Sequence, residues 1–301
     1  MIKRAKIRKQ KLQPAGLLAA LIVIGIVAAF GIHAIFFSHA ATSPAATIEA
    51  ENGTVAGTTA SITDSSASGS RALRFGTAKT ATTLKLMPLG DSITYGVNYS
   101  SEGFTGGYRT PLWQQLVQTD GDKIDFVGSN SDGPSNLGDK DNEGHPGWCM
   151  DASCPGYDDM TAHIDSWLST YKPDIILLHG GTNDLNVGGY NGAQTATHLD
   201  TLLGKIFADL PNTHVVVAKI ISIHQEPAQD NEPAYISAIP GVVSKYQSQG
   251  RNIQTVDMSN LLNWSSDFSD NFHPNIQGYN KMANAWYPVV KALYQSIELG
   301  S

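Results

Sequence analysis

The chain has 301 residues, enough for one sizeable core with further segments attached. Its net charge is −7, yet Lys3, Arg4, Lys6, Arg8, Lys9 and Lys11 all precede the first acid, Glu49. With those six set aside, 14 Lys and Arg face 27 Asp and Glu, so the remainder carries about −13 and is unsuited to a nucleic-acid phosphate backbone.

After the basic start and Pro14, an apolar run extends from Ala15 to Phe37, interrupted only by the ionisable His33. As a helix it would be roughly 34 Å long, against roughly 30 Å of bilayer hydrocarbon. The apolar stretch of a secretory signal is about 7–15 residues, so this one is long, although Ser38-His39-Ala40 has the small-x-small form of a cleavage site. Bases before the run predict a cytoplasmic N-terminus and an exported body. Residues 1–40 are therefore expected to be a basic tail plus a signal anchor or signal peptide. The body would sit at the cell surface, membrane-anchored, or be secreted after a cut near Ala40.

Residues 41–83 are rich in Ala, Ser, Thr and Gly and read as a spacer. Within it, Ala46–Thr54, with its Glu-Ala-Glu string, and Ala67–Phe75 can each hold a short strand. These pieces resemble fragments of sugar-binding jelly-roll modules but are too short for a whole one.

From residue 84 to 301 strands and helices alternate, which predicts a parallel sheet covered by helices on both faces. Leu84–Leu89, Lys123–Gly128, Asp174–His179, His214–Ile221 and Ile253–Asp257 read as five strands. Leu199, Leu202, Leu203, Ile206, Phe207 and Leu210 make a helical stripe after Thr195 or Thr197 as cap. A last helix from about Gly278 to Ile297 would bury Met282, Trp286, Val289, Leu293 and Ile297. Between these, Cys149 and Cys154 fit a small-loop disulfide in an oxidising compartment, with two free thiols as the alternative. No HExxH or second cysteine pair suggests zinc, and the acidic turn at Asp139–Gly144 lacks the glutamate of a calcium loop.

Two strings carry chemistry. Gly90-Asp91-Ser92-Ile93-Thr94 follows the first strand, and Asp270-Asn271-Phe272-His273 follows the fifth. A serine hydroxyl is a weak nucleophile until an imidazole takes its proton, and Asp-x-x-His supplies an imidazole with an orienting carboxylate. In an open α/β sheet the loops at the carboxyl ends of the strands form the ligand crevice. Ser92, Gly147, Asn183 and the Asp270/His273 pair all fall in such loops.

Four blocks, Gly90–Thr94, Glu143-Gly-His-Pro-Gly-Trp148, Gly181-Thr-Asn-Asp184 and Asp270-x-x-His273, make the chain from about Leu84 onward resemble the SGNH (GDSL-type) esterase superfamily. Gly107-Tyr108-Arg109, Asp125–Ser129 and Glu143–Trp148 are similar to carbohydrate esterases that deacetylate xylan. The resemblance implies a flavodoxin-like three-layer α/β/α fold with a five-stranded parallel sheet, behind an N-terminal hydrophobic helix and a spacer. It implies catalytic Ser92, His273 and Asp270, with an oxyanion hole from the Ser92 and Gly147 backbone N–H groups and the Asn183 side chain. Gly144 competes with Gly147 for that role. Asp91 and Asp184 are expected to hold their loops. His145 and Trp148 either line the acyl or sugar site or only pack the loop.

The expected reaction is hydrolysis of O-acetyl esters on a polysaccharide such as xylan, through an acyl-enzyme that requires no metal or organic cofactor. Alternatives are another small ester (peptidoglycan O-acetyl, a lysolipid or a thioester), or a surface glycan-binding protein with a vestigial esterase fold. Trp148 and Trp264, in loops, can stack on a sugar, whereas Trp113, Trp167 and Trp286 read as core.

Overall fold

The computed structural model describes residues 59–63, 71–75 and 82–300, apart from Glu102 and Ser153. They fall into two units divided between Lys79 and Thr80. The first holds an antiparallel pair, β1 (Thr59–Thr63) and β2 (Arg71–Phe75), with Thr59 opposite Phe75. Thus β2 falls inside the Ala67–Phe75 segment, β1 was not anticipated, and Ala46–Thr54 lies outside the described residues. So does the apolar run 15–37; among the described residues no helix is long and apolar enough to cross a membrane.

The second unit is built on a mostly parallel sheet. Its central strand is β3 (Leu84–Gly90), whose one edge pairs with β7 (Ile175–His179), followed by β8 (His214–Lys219) and β9 (Ile253–Asp257). The other edge of β3 is shared. β4 (Ile124–Phe126) pairs with Leu84–Leu86, and β6 (Asp141–Gly144) pairs with Leu89 and Gly90. β6 is in turn bordered by the antiparallel β5 (Asn130–Ser131). The expected five parallel strands are therefore present inside a seven-stranded mixed sheet. β5 and β6 escape a hydrophobic-pattern reading because the buried residues of β6 are polar. Asn142 donates to Asn130 O and Lys140 O, and Glu143 accepts from the Ser129 N–H and hydroxyl.

Strand alternation divides the interior into two cores, because successive side chains point to opposite faces. Met87, Leu89, Ile176, Leu178, Val215 and Val217 point to one face. There they meet α3 (Ile164–Tyr171), α5 (Gly192–Asp209) and α6 (Ala228–Ser248). Leu84, Leu86, Ile175, Leu177, Val216 and Ala218 point to the other, against α2 (Arg109–Trp113, continued by a π-helical turn Gln114–Thr119) and α8 (Ile276–Gly300).

In α8, Met282 and Trp286 are fully buried, while Val289, Leu293 and Ile297 pack at the margin. The stripe expected before Leu210 is α5, but its cap is Asn191 rather than either threonine. Asn191 Oδ1 accepts from Gln194 N and Gln194 Oε1 accepts from Asn191 N, both at 3.0 Å, a reciprocal capping box. Thr195 and Thr197 instead return their hydroxyls to carbonyls four residues back. Helix α6, with Pro233 and Pro240 inside it, carries no expectation from the sequence.

Candidate active site

β3 ends at Gly90, and a side chain there would collide with the His179 carbonyl and the Thr94 hydroxyl, so the chain can turn here only as glycine. The turn opens α1 (Ser92–Tyr95), with Ser92 in its first position and Asp91 as N-cap accepting from Ile93 N at 2.9 Å. Arg109, fully buried, fixes the far end of this short helix. Its guanidinium donates to the carbonyls of Thr94 (3.0 Å) and Tyr95 (2.8 Å), and also to Asp132 (2.9 Å) and Lys140 (3.0 Å). One side chain thereby ties the Ser92 helix to the segment that enters β6.

Burial pushes the Asp91 carboxyl up to about 7, against the pull of the Ile93 N–H and the nearby His273. Between the ordinary aspartate value and about 7, the folded protein holds a proton that the unfolded chain has released. This contribution to stability is full in acid and is lost as pH rises through 7. Asp91→Asn keeps an acceptor for Ile93 and should gain on wild type by on the order of 4 kcal/mol between pH 4 and pH 8. Urea unfolding at the two pH values measures this. A wild-type to variant difference independent of pH would mean that Asp91 is ionised in the fold throughout.

The opposite wall is the turn 268–274, closed by a bridge between Phe268 and Pro274. Asp270 Oδ1 accepts from Phe272 N at 2.8 Å and His273 N at 2.6 Å, which sets both side chains of the Asp-x-x-His string locally. His273 Nδ1 lies 2.8 Å from Asp270 Oδ2, and His273 Nε2 lies 2.8 Å from Ser92 Oγ, 181 positions away in sequence. Burial pushes Asp270 up, but hydrogen bonds from the His273 ring and from the His273 and Phe272 N–H groups outweigh it and hold the carboxyl below the usual range. It stays ionised into mild acid. Its contribution to stability, present above the ordinary aspartate value, is lost as pH falls through the lowered one.

The third wall is the loop after β6. His145 N donates to Gly90 O at 2.9 Å, which starts this loop beside the Ser92 turn. Gly147 has φ +84°, and Tyr157 lies so close that any side chain would overlap its ring. The Gly144 N–H is engaged by Asn142 Oδ1 at 3.0 Å. From α4 (Thr182–Asn186), Asn183 Nδ2 donates to Trp148 O at 3.0 Å, which leaves its second amide hydrogen for another acceptor. Next to it, Asp184 Oδ2 accepts from Met150 N at 3.1 Å and Asp184 Oδ1 meets His198 Nδ1 at 2.7 Å. Asp91 and Asp184 thus hold their loops, as the sequence suggested. Cys149 and Cys154 form a disulfide that staples the same loop, and Cys154 Sγ lies 3.4 Å from Asn183 O.

His145 is turned inward to Glu143 Oε1 at 2.6 Å. Its ring stacks on Trp148 at 4.3 Å and on Trp167 at 4.8 Å between centroids. Both ring contacts and the hydrogen bond hold the loop together. Trp148 lies half-buried against the same cluster. Sequence reasoning named Arg109 and Glu143 without a role and missed His198, Tyr99 and Tyr157. A buried-pair partner leaves no local pattern, although the disulfide spacing places Tyr157 near the site. Among the described residues no group of three or more His, Cys, Asp or Glu is arranged to hold a metal.

Residues 89–281 match the GDSL-like Lipase/Acylhydrolase family, and the chain belongs to that family. It has the SGNH/GDSL α/β hydrolase fold. It is 31% identical over 226 residues, 68% of its length, to a multidomain esterase of Ruminococcus flavefaciens. The chain spans 28% and 62% of the lengths of the curated relatives it matches. It is also similar to the solved family 3 carbohydrate esterase of Clostridium thermocellum, at 35% identity and TM-score 0.61, covering 72% of this chain and 100% of that one. A family 3 carbohydrate esterase from Talaromyces cellulolyticus follows at 27% identity and TM-score 0.57, covering 71% and 99%.

Proposed function

We propose that this protein is an esterase that removes O-acetyl groups from a polysaccharide such as xylan, with Ser92 as nucleophile, His273 as general base and Asp270 as its orienting carboxylate. The observation that carries the reading is the 2.8 Å approach of His273 Nε2 to Ser92 Oγ, with Nδ1 held on Asp270. Ser92 Oγ attacks the acetyl carbonyl as His273 takes its proton, and the proton then passes to the departing sugar hydroxyl. Water, deprotonated by the same imidazole, releases acetate and restores the serine. Developing negative charge on the carbonyl oxygen is met by the Ser92 and Gly147 N–H groups and the free amide hydrogen of Asn183. Gly147 is favoured over Gly144 because the Gly144 N–H is already donated to Asn142.

The acetyl-polysaccharide part rests on the similarity to family 3 carbohydrate esterases. Acetate release from acetylated xylan, together with hydrolysis of acetyl but not octanoyl nitrophenyl esters, is expected. The reverse chain-length preference would turn the reading toward lipid esters. Binding of glycan with no turnover of any ester would leave only a binding role.

We further propose that residues 84–301 are exported as the catalytic domain behind the basic tail, the apolar run and the spacer 41–83. The protein then remains membrane-anchored through its N-terminal apolar run or is released near Ala40. The disulfide supports an oxidising compartment. Protease added to intact cells should digest the body, and protection from it would place the domain inside.

A further inference from the structure

Among the described residues four large apolar side chains are exposed: Tyr99 (69%), Tyr157 (52%), Trp264 (46%) and Phe104 (41%). Scattered singly, such residues need no explanation. Here all four touch the walls of one site. Tyr99 meets the His273 ring edge-on at 5.4 Å, and Tyr157 lies against the Cα of Gly147. Phe104 packs at 5.2 Å on Tyr95, in the same short helix as Ser92. The Trp264 ring lies tilted against His224, 4.1 Å between centroids, and the His224 backbone N–H donates to the carbonyl of Asn271, the residue beside Asp270.

We propose that these rings form an aromatic rim that holds the pyranose rings of a neutral polysaccharide, an inference that rests on the acetyl-polysaccharide reading above. A pyranose has an apolar C–H face and a hydroxylated edge, which matches the apolar face and polar tip of Tyr and Trp. The rings stand apart and project into solvent, whereas an acyl chain would be enclosed by a continuous apolar groove. The hollow beside Phe104, about 280 Å³, sets Thr110, Gln114, Asn136 and Asn280 beside the apolar Pro111 and Pro134, a mixed lining that offers hydrogen bonds to hydroxyls next to surface for a C–H face. The acidic balance of the body favours an uncharged chain over an anionic one. Tyr99 and Tyr157, against His273 and Gly147, take the sugar that bears the acetyl group. Phe104 and Trp264, which touch the site only through intervening residues, take its neighbours.

The test compares kcat/KM on acetylated xylo-oligosaccharides of increasing length with kcat/KM on 4-nitrophenyl acetate. In Tyr99→Ala and Tyr157→Ala the ratio of the two should fall about tenfold at every length, and Tyr99→Phe and Tyr157→Phe, which keep the ring, should restore most of it. In Trp264→Ala and Phe104→Ala the ratio should fall only on the longer oligosaccharides. A wild-type enzyme that releases acetate from the oligosaccharides, with an unchanged ratio in all four alanine variants, overturns the rim and leaves the substrate reading standing. Equal losses on both substrates, not restored by phenylalanine, would mean that the rings only support the loops. A wild type active on the nitrophenyl ester and inert on every oligosaccharide removes the substrate reading and the rim together.

Discussion

Replacing Ser92 with alanine should lower kcat on 4-nitrophenyl acetate by about 10⁴–10⁶-fold while leaving the unfolding midpoint in place. His273→Ala should cost about as much, and the double variant little more than either, because a nucleophile without its base and a base without its nucleophile fail at the same step. Asp270→Asn, which still receives the Phe272 and His273 N–H groups, should fall by about 10⁴-fold, with the imidazole in the wrong tautomer. Steady-state kinetics on the four variants, beside circular dichroism, measures this. Additive losses in the double variant, or more than a tenth of wild-type activity in Ser92→Ala, would remove Ser92 from the reaction.

The second large effect is on stability. Arg109→Met should strand the carbonyls of Thr94, Tyr95, Asp132 and Lys140 and cost about 3–5 kcal/mol, the range for removing one partner of a buried charged network. For a domain of this size that is a fall in Tm of roughly 10 °C. Burial pushes the guanidinium down to about 10, so it remains charged at neutral pH and each of its four bonds is charge-assisted. Arg109→Lys should recover little, since one ammonium on a flexible stem cannot serve four carbonyls spread around a planar fork. Denaturant unfolding of both variants decides it, and a loss below about 1 kcal/mol would show that water replaces the guanidinium at little cost.

Much of the fold was legible because β3, β7 and β8 are short apolar runs bounded by turns, the pattern of strands buried on both faces, while β9 keeps Ile253 and Val256 buried between polar neighbours. β6 was not legible. Its Asn142 and Glu143 are buried only because Asn130 and Ser129, a dozen or more positions earlier, supply their hydrogen bonds. Helix α6 was hidden by Pro233 and Pro240, which read locally as breaks, and it is held by Tyr235, Ile239 and Val243 packing on the sheet. The α5 cap was misplaced because several candidate side chains lie within two turns, and only the reciprocal bonds of Asn191 and Gln194 distinguish the true one.

By itself the sequence determined the chemistry on offer and its local supports. Asp270 and His273 share one turn, so backbone N–H groups two and three residues away orient the carboxylate, and Asp91 caps its own helix across two positions. Only the tertiary structure decided what depends on distant segments meeting. It brought the His273 ring to the Ser92 hydroxyl, engaged Gly144 and left Gly147 against Tyr157, and turned His145 inward to Glu143 and Trp167. It also set the exposed Tyr99 ring against His273 and the exposed Tyr157 ring against Gly147. Short-range hydrogen bonds are written in residue order, whereas contacts between far segments exist only once the sheet order has set which loops share its carboxyl edge.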